Sequence, residues 1–494
     1  MSYIFVSIKG EILNILLLSI PLSIRSGVVT AVKTLYQGLS SKNINVVILT
    51  HWWNCGFEEV IRYTLFSKNF SKTFIKSSDN HGRKIAKTVS FRPVRVKKLL
   101  PEEDIKEAGI TLVHEVLDCL EKNSFKPDII HAHTHTFMYD GVMETILERT
   151  NYPPLVYTLH AVIPYIKFFK LRNIFNLSTL SPDIFFNLTE EEINLIKSKL
   201  NNHEKAQEKM IEISDKVITI AKIHEKAFHK LYPHMHDKCI TINNGTDFIK
   251  FSNDKEIIFN SMKLKQKLAP NNELLLLYCG RIEKSKRVEK LLQAFNLILN
   301  EYKNAKLLII GESEFSRNKL LSSGLKKENL NKVILIDWVK NRKGLASYYK
   351  AADIMIQPVM SKELFPLVVL EAMCMKIPVI SSPSEITFGR SDTPESIFNT
   401  VKYIIEHPQE VEEKIEKAYE TVKKEYTVSV FLKKTITLYK DLINLRCKEK
   451  NIEKLLFIVR KRREEKIKKV LKEVQKRKKK KIESYLTKMK KPEP

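Results

Sequence analysis

Short apolar runs alternate with helix-period stretches along the first 445 residues. Asn14–Ile20, Asn45–Leu49, Pro127–His131, Leu155–His160 and Lys216–Ile220 are largely apolar runs between polar ones, which read as strands buried on both faces. Between the first two, Val28, Val32, Leu35 and Leu39 recur at helical spacing over Gly27–Ser40, and a further helix is predicted from about Glu107 to Glu121. Residues 166–213 are longer and less regular and read as a helical insertion. After the strand Cys239–Ile242, which ends in Asn-Asn-Gly, the alternation begins again. Strands are predicted at Leu274–Tyr278, Lys306–Ile310, Val333–Ile336, Ile354–Gln357 and Pro378–Ser381, with helices such as Val288–Tyr302 and Leu364–Met375 between them. This pattern specifies an α/β fold of parallel sheets covered by helices. Two such units imply two doubly wound, Rossmann-like domains facing a cleft, with ligands at the C-terminal ends of the strands. The first spans 1–244 and the second 245–426; a helix over 427–445 closes the body, and 446–494 is a basic helical tail.

The 494 residues suffice for two or three domains, each with a full core. At 43% hydrophobic and 29% charged, the chain is too apolar and too mixed in sign for disorder. It has only 13 glycines, about 3% against the usual ~7%, so a glycine between a strand and a helix marks a close backbone approach. The net charge is +27, of which residues 446–494 carry +14, so the body is only mildly basic. That balance suits nucleic acid, an anionic membrane or a phosphorylated substrate without choosing among them. Ile12–Leu22 is mostly apolar and follows Lys9, but it is too short to span a bilayer and no small-residue cleavage site follows, so it reads as a buried first strand. Cys55, Cys119, Cys239, Cys279, Cys374 and Cys447 form no CxxC pair and no zinc-ligand rhythm, which points to core cysteines in a reducing compartment. A sequon such as Asn187-Leu188-Thr189 then has no weight.

Three local patterns carry candidate chemistry. Glu363-Leu-Phe-Pro-Leu-Val-Val-Leu-Glu371 places one carboxylate in the loop after a strand and a second about two helical turns on, where both can face one ligand; alone, such a pair is usually a solvated helix face. Leu274–Cys279 ends at Gly280-Arg281, with Lys286-Arg287 after it, a turn that offers backbone N–H groups and cations to a phosphate but also reads as an ordinary surface turn. Ser26-Gly27-Val28 follows the first strand and opens a helix. It is neither a GxGxxG fingerprint nor a Walker loop, which argues against a dehydrogenase or a P-loop NTPase.

With Pro-Asp-Ile-Ile-His-Ala-His-Thr at 127–134, Tyr-Thr-Leu-His-Ala at 157–161, Asn-Gly-Thr-Asp at 244–247 and Ala-Ala-Asp at 351–353, these pieces stand in the order of a known family. From Asn14 to Leu445 the chain resembles retaining GT-B-fold glycosyltransferases of the group 1 / family 4 kind, which take nucleotide-diphosphate sugars. The resemblance implies a GT-B fold and transfer of a sugar with retention at the anomeric carbon. It implies that Arg281 and Lys286, beside Gly280, neutralise the donor diphosphate, and that Glu371 holds the ribose hydroxyls. Glu363 would bind the sugar hydroxyls and support an oxocarbenium-like transition state, Phe365, Pro366 and Leu367 would complete the donor site, Gly27 would admit a phosphate or acceptor, and His160 would face the transferred sugar. Fixed cations in a dry cleft do stabilise a departing diphosphate. No metal and no cofactor beyond the donor sugar nucleotide is implied.

Several positions depart from the family's pattern: Ser26 replaces the first glycine of a pair, Arg287 and Lys376 replace glycines, and the segment after Ser381-Ser382 lacks a glycine pair and is shortened. These leave open a non-catalytic nucleotide- or nucleic-acid-binding protein on the same scaffold; a sugar-nucleotide epimerase is a further alternative. His131, His133 and His135 alternate on an extended segment and, with His160, suggest a metal site; the family reading makes the first two ordinary strand-end histidines instead. Trp52-Trp53, after the second strand, suit sugar stacking or buried packing. In the tail, Ile452, Leu455, Leu456, Val459, Ile467, Val470, Leu471 and Val474 keep helical spacing among Lys and Arg. Such a helix is solvated or lies peripherally on an anionic membrane; with only Phe457 and Tyr485 among its charges, nucleic acid is the least favoured partner. The expected setting is cytoplasmic, at the inner face of a membrane, with a lipid, polysaccharide or protein as acceptor.

Overall fold

The apolar runs become the central strands of two sheets in the computed structural model. It describes residues 7–8, 11–24, 26–55, 58–68, 87–90, 94–97, 102–135, 141–170, 182–283, 286–313, 315–358, 366–381, 385–389 and 391–448. The first sheet contains β1 (Asn14–Ser19), β2 (Asn45–Cys55), β3 (Glu58–Ser67), β4 (Lys87–Ser90), β5 (Val94–Lys97), β6 (Ile129–Ala132), β7 (Leu155–Leu159), β8 (Lys216–Thr219) and β9 (Cys239–Thr241). Its order is β9-β8-β7-β6-β1-β2-β3-β4, with β5 also paired to β3. From β9 to β2 all pairings are parallel, and β3 to β5 add an antiparallel extension. The second sheet has β10 (Leu275–Cys279), β11 (Lys306–Ile310), β12 (Val333–Ile336), β13 (Ile354–Ile356) and β14 (Val379–Ile380), all parallel, in the order β12-β11-β10-β13-β14.

Both faces of the second sheet are buried, as continuous apolar strands require. Along β10, Leu275, Leu277 and Cys279 enter one core while Leu276 and Tyr278 enter the core on the opposite side. Truncating Leu276 to alanine costs about 2–5 kcal/mol on that basis.

An aspartate repeated before three strands sets the parallel register. Asp128, Asp215 and Asp353 each donate a backbone N–H to the carbonyl of Asn14, Leu155 and Leu275 on the neighbouring strand, at 2.8, 2.8 and 2.9 Å. Each carboxylate in turn accepts the N–H of that same residue, at 2.8, 2.7 and 2.7 Å. The device satisfies a strand-start donor with an ionised acceptor, worth about 1.5–3 kcal/mol.

Helices fall near the predicted positions, with informative differences. The helix Gly27–Ser40 buries Val29, Ala31, Val32, Leu35, Tyr36 and Leu39, so three of the four predicted positions face the core while Val28 is only half-buried and Val29 takes its place. Residues 166–213 include the helices Ile163–Lys170, Pro182–Phe186, Glu190–Ser198 and Asn202–Ile213. Trp52 and Trp53 lie within β2 rather than after it, because antiparallel pairing with β3 extends the strand to Cys55. Cys119, Cys239, Cys279 and Cys374 are free thiols.

The final helix runs from Val428 to Lys448. Before it, Thr246 pairs with Thr427 beside Gly245, where a Cβ would stand 2.6 Å from the Thr427 carbonyl oxygen. Leu432 packs against Gly38 of the first helix, so the chain returns to the N-terminal half. The compact unit is Met1–Thr437; the second unit, Leu438–Pro494, is described as far as Lys448 and is helical there. No helix among the described residues is long and apolar enough to cross a membrane.

Candidate active site

Parallel sheets bind ligands where the strand order reverses. In the first sheet that point lies between β1 and β6, and in the second between β10 and β13. Gly27 follows β1, the histidines end β6 and β7, Gly280 and Arg281 follow β10, and Glu371 lies on the helix after β13.

At the first switch point, Ser26 caps the helix that Gly27 opens: its Oγ accepts the Val29 N–H at 3.2 Å. The residue that departs from the glycine pair is therefore an N-cap, worth about 1 kcal/mol. Gly27 is exposed, and a Cβ there would meet nothing within 4 Å, leaving the helix start open to a ligand.

The histidines form a connected group. His131 Nε2 lies 2.6 Å from Thr158 Oγ1, and its ring stands 4.2 Å from that of His133. His133 Nδ1 lies 3.0 Å from His160 Nε2. Because β6 ends at Ala132, the alternation does not carry to His135, whose Nδ1 lies 3.3 Å from the Tyr157 hydroxyl. Burial holds four imidazoles of this region neutral: it lowers His131 to about 3, His160 and His224 to about 4, and His133 well below its ordinary value. Neighbouring imidazoles add to the effect at His131, His133 and His160.

The second switch point is built from charges. Gly280 donates its N–H to Ile310 at 3.0 Å, and a Cβ on Gly311 would stand 1.8 Å from the Gly280 carbonyl oxygen, so the two loops need glycine at that crossing. The Tyr278 hydroxyl donates to the Arg281 carbonyl at 2.7 Å and holds the turn. The Arg281 guanidinium is half-exposed and pairs with Glu283 at 2.9 Å. Lys286 follows in the same turn, its backbone N–H bonded to the Glu283 carbonyl at 2.9 Å. Arg287 then adopts φ +52° before the helix Val288–Glu301, and Lys376 adopts φ +55° after the helix Leu367–Cys374. Two of the departures from the family's pattern thus fall on left-handed backbone, where glycine is unstrained.

Glu371 is buried in the helix Leu367–Cys374, which Pro366 precedes. Leu367 and Val368 stand in its first turn, whose N–H groups have no intrahelical acceptor. Since the helix begins at Leu367, Glu371 lies about one turn inside it rather than two turns on from Glu363 along a single helix. Glu363 and Phe365 lie outside the described residues. The Glu371 carboxylate accepts from the Tyr349 hydroxyl at 3.1 Å and faces Arg342 at 3.6 Å. Arg342 also pairs with Asp247 and covers the Phe248 ring at 4.5 Å. Burial raises Glu371 to about 7 against the pull of Arg342 and Tyr349. Tyr349 and Arg342 are the site partners that sequence reasoning missed; the one signal was their place on the helix leading into Ala351-Ala352-Asp353.

The segment after Ser381 is described at residues 385–389 and from 391 on. Phe388 bridges to Ile380, and Gly389 adopts φ +47° where a Cβ would stand 2.0 Å from Thr400 Oγ1. A separate grouping, Glu225, His229 and Cys239, brings ligand-type atoms within 4.8 Å of one another. Its signal was the Glu225-x3-His229 spacing, and burial pushes the Cys239 thiol up to about 12.

Comparison with known proteins agrees with this layout. Residues 25–248 match the family "Glycosyltransferase Family 4" and residues 260–425 match "Glycosyl transferases group 1". The alpha-monoglucosyldiacylglycerol synthase of Acholeplasma laidlawii is 25% identical over 366 residues, 72% of this chain and 85% of that protein. The capsular polysaccharide biosynthesis glycosyltransferase CapM of Staphylococcus aureus is 31% identical over 140 residues, 28% of this chain and 35% of that protein. The crystal structure of Anabaena HepE in complex with UDP superposes with a TM-score of 0.54 at 15% identity, covering 87% of this chain and all of that one. The two family matches divide the chain as its two sheets do, and the chain is a glycosyltransferase of GT-B fold.

Proposed function

We propose that this chain transfers a sugar from a nucleotide-diphosphate donor to a lipid acceptor at an anionic membrane surface, with retention at the anomeric carbon. The observation that carries the reading is the likeness to alpha-monoglucosyldiacylglycerol synthase, which extends over 85% of that protein. In this reading the second half holds the donor. Arg281 and Lys286 face the diphosphate and stabilise the charge it gains on departure. Glu371 accepts hydrogen bonds from the ribose hydroxyls; burial raises its pKa to about 7 in the free protein, and two added hydroxyl donors favour its carboxylate form when the donor binds. The first-turn N–H groups at Leu367 and Val368 add a positive helix end. Glu363 and Phe365 complete the site from the loop before Pro366. Across from them, Gly27 admits the acceptor or a phosphate, and His160 faces the transferred sugar as a neutral hydrogen-bonding group. The UDP in the HepE structure supports a nucleotide site on this fold. Nothing in the scheme calls for a metal ion or a cofactor beyond the donor.

The tail, beyond the described residues, supplies the surface. Its apolar positions at helical spacing and its net +14 suit a helix lying on anionic lipid, which gains about 1 kcal/mol per basic residue near the surface. The chain would then work at the cytoplasmic face of a membrane. The CapM likeness favours a polysaccharide acceptor as a second reading, over a smaller share of the chain.

The test is a panel of UDP-, GDP- and ADP-sugars with vesicles containing diacylglycerol and anionic phospholipid, read by nucleotide release and by lipid product. One donor is expected to give a glycolipid whose anomeric configuration, read by NMR, matches the donor's. Release of nucleotide from no donor, or an isomerised sugar nucleotide without acceptor-dependent product, would overturn the reading. Truncation after Lys448 is expected to abolish binding to anionic vesicles while leaving the melting temperature unchanged; unchanged vesicle binding would remove the tail's role.

A further inference from the structure

The imidazole pair at the first switch point contains more information than a strand-end contact. His133 is almost fully buried, and its Nε2 has no hydrogen-bond partner among the described residues. A proton on that nitrogen would be a buried donor with nothing to accept it, at a cost of about 1–3 kcal/mol. A proton on Nδ1 instead meets His160 Nε2 at 3.0 Å. His160 Nε2 must then be the acceptor, which leaves the proton of the neutral ring on Nδ1. Free imidazoles favour the opposite tautomer slightly, so this arrangement has to be imposed.

We propose that His133 is the positioning residue of His160: it donates its Nδ1–H to His160 Nε2 and fixes that ring as the Nδ1–H tautomer, which presents a hydrogen-bond donor to a hydroxyl oxygen of the transferred sugar. The surroundings favour one shared arrangement over a protonated one. The His131 ring stands 4.2 Å from that of His133, with its own Nε2 engaged by Thr158. His224, on the helix Lys222–Leu231, acts on His160 from another element, and neither of its ring nitrogens has a hydrogen-bond partner among the described residues. A positive charge on any of these rings would be desolvated, so His160 acts as a neutral donor rather than as an acid. His133 itself touches no substrate; it works through His160, as a hydrogen-bonded partner sets which nitrogen of an imidazole carries the proton.

The inference rests on the reading that His160 faces the sugar, and two readouts separate the two claims. The first needs no turnover. In the full chain labelled with 15N-histidine, NMR is expected to show His160 as the Nδ1–H tautomer, reverting to Nε2–H in His133→Phe and restored in His133→Asn, whose amide nitrogen occupies the Nδ1 position. A His160 that is Nε2–H in the wild type, or unchanged in His133→Phe, overturns the proposal. The second is kinetic. His133→Phe is expected to lower kcat about tenfold, the scale of one net hydrogen bond, with donor KM within about twofold. His133→Asn should recover most of that loss, and His133→Phe added to His160→Ala should cost nothing more. Losses that multiply in the double variant contradict the proposal, because His133 would then act by another route. If His160→Ala alone transfers sugar at the wild-type rate, the reading of His160 fails while the NMR result still decides the coupling. Should His133→Phe fail to fold, the comparison is His133→Asn against His133→Gln, since only Asn reaches the Nδ1 position.

Discussion

The two halves of this molecule have the same frame and opposite linings. Each has a parallel run of strands with a switch point, extended by antiparallel strands in the first, and each uses a strand-start aspartate to lock neighbouring strands, Asp128 and Asp215 in the first and Asp353 in the second. The first half lines its switch point with imidazoles that burial keeps neutral. The second lines it with Arg281, Lys286, Arg342, Asp247 and Glu371. In the proposed reading, this contrast separates two tasks. Charge belongs where a diphosphate leaves, whereas uncharged groups suit sugar hydroxyls and an acceptor whose proton must move. The fold supplies position in both halves, and the chemistry comes from what is placed at the strand ends.

The largest effects should come from breaking the charged side. Lys286→Ala and Glu363→Ala are each expected to cut kcat about 100- to 1,000-fold, the scale of removing one preorganised electrostatic contact, with the melting temperature unchanged. Steady-state transfer assays check this, and near-normal turnover in both variants would remove the donor-site assignment.

Next come the elements that the halves share. Asp215→Ala and Asp353→Ala should each destabilise the protein by about 1.5–3 kcal/mol in urea unfolding, since each leaves a strand-start N–H without its ionised acceptor. If only one of the two has an effect, the shared frame is a coincidence of sequence.

The linings should also respond to pH with opposite sign. Unfolded imidazoles take up protons near pH 6.5, while His131, His160 and His224 resist protonation down to about 3–4 when folded. The unfolded state therefore binds more protons in that window, and this part of the stability is lost as pH falls from about 6.5 to about 4. Glu371 behaves the other way: folded, it keeps its proton up to about 7 against 4.5 unfolded, so its contribution is lost as pH rises through that window. Urea titrations of His224→Leu and Glu371→Gln are expected to show it. The first should lose less stability than wild type on acidification, and the second should gain relative to wild type between pH 5 and pH 8. The same trend in both variants would contradict the account.

The smallest effects concern the left-handed residues. Arg287→Gly should stabilise the fold by about 0.5–1 kcal/mol by relieving positive φ, after the greater unfolded-state entropy of glycine is taken off. Lys376→Gly should change it by less, because Lys376 also pairs with Glu416 at 2.6 Å and lies over the Tyr419 ring at 4.4 Å. Thermal melts of the two variants compare them directly.

Periodicity was enough for the frame and not for the contacts. The runs Lys306–Ile310 and Val333–Ile336 and the helix Val288–Glu301 stand where the apolar pattern puts them, because continuous apolar runs and helical spacing have few ways to be written. The antiparallel strands Glu58–Ser67, Lys87–Ser90 and Val94–Lys97 were not legible, since their pattern carries no continuous apolar run and depends on pairing with an extended β2. Motif order placed Arg281, Lys286 and Glu371 near strand ends. It did not reveal that Tyr349 and Arg342 hold Glu371, because these pairs are 22 and 29 residues apart and join only when neighbouring elements pack; it grouped His133 with His160 but as metal ligands, not as the hydrogen-bonded pair. Ser26, a mismatch to the family's pattern, became intelligible only as a helix cap.

The central claim is that the charged half holds the donor's diphosphate and the neutral half does not. Calorimetric titration of UDP into the wild type, Lys286→Ala and His160→Ala tests it most directly. The account predicts that Lys286→Ala weakens UDP binding at least about tenfold, the scale of one charge-assisted contact, and that His160→Ala leaves it within about twofold. Equal losses in both variants, or undiminished affinity in Lys286→Ala, would contradict it.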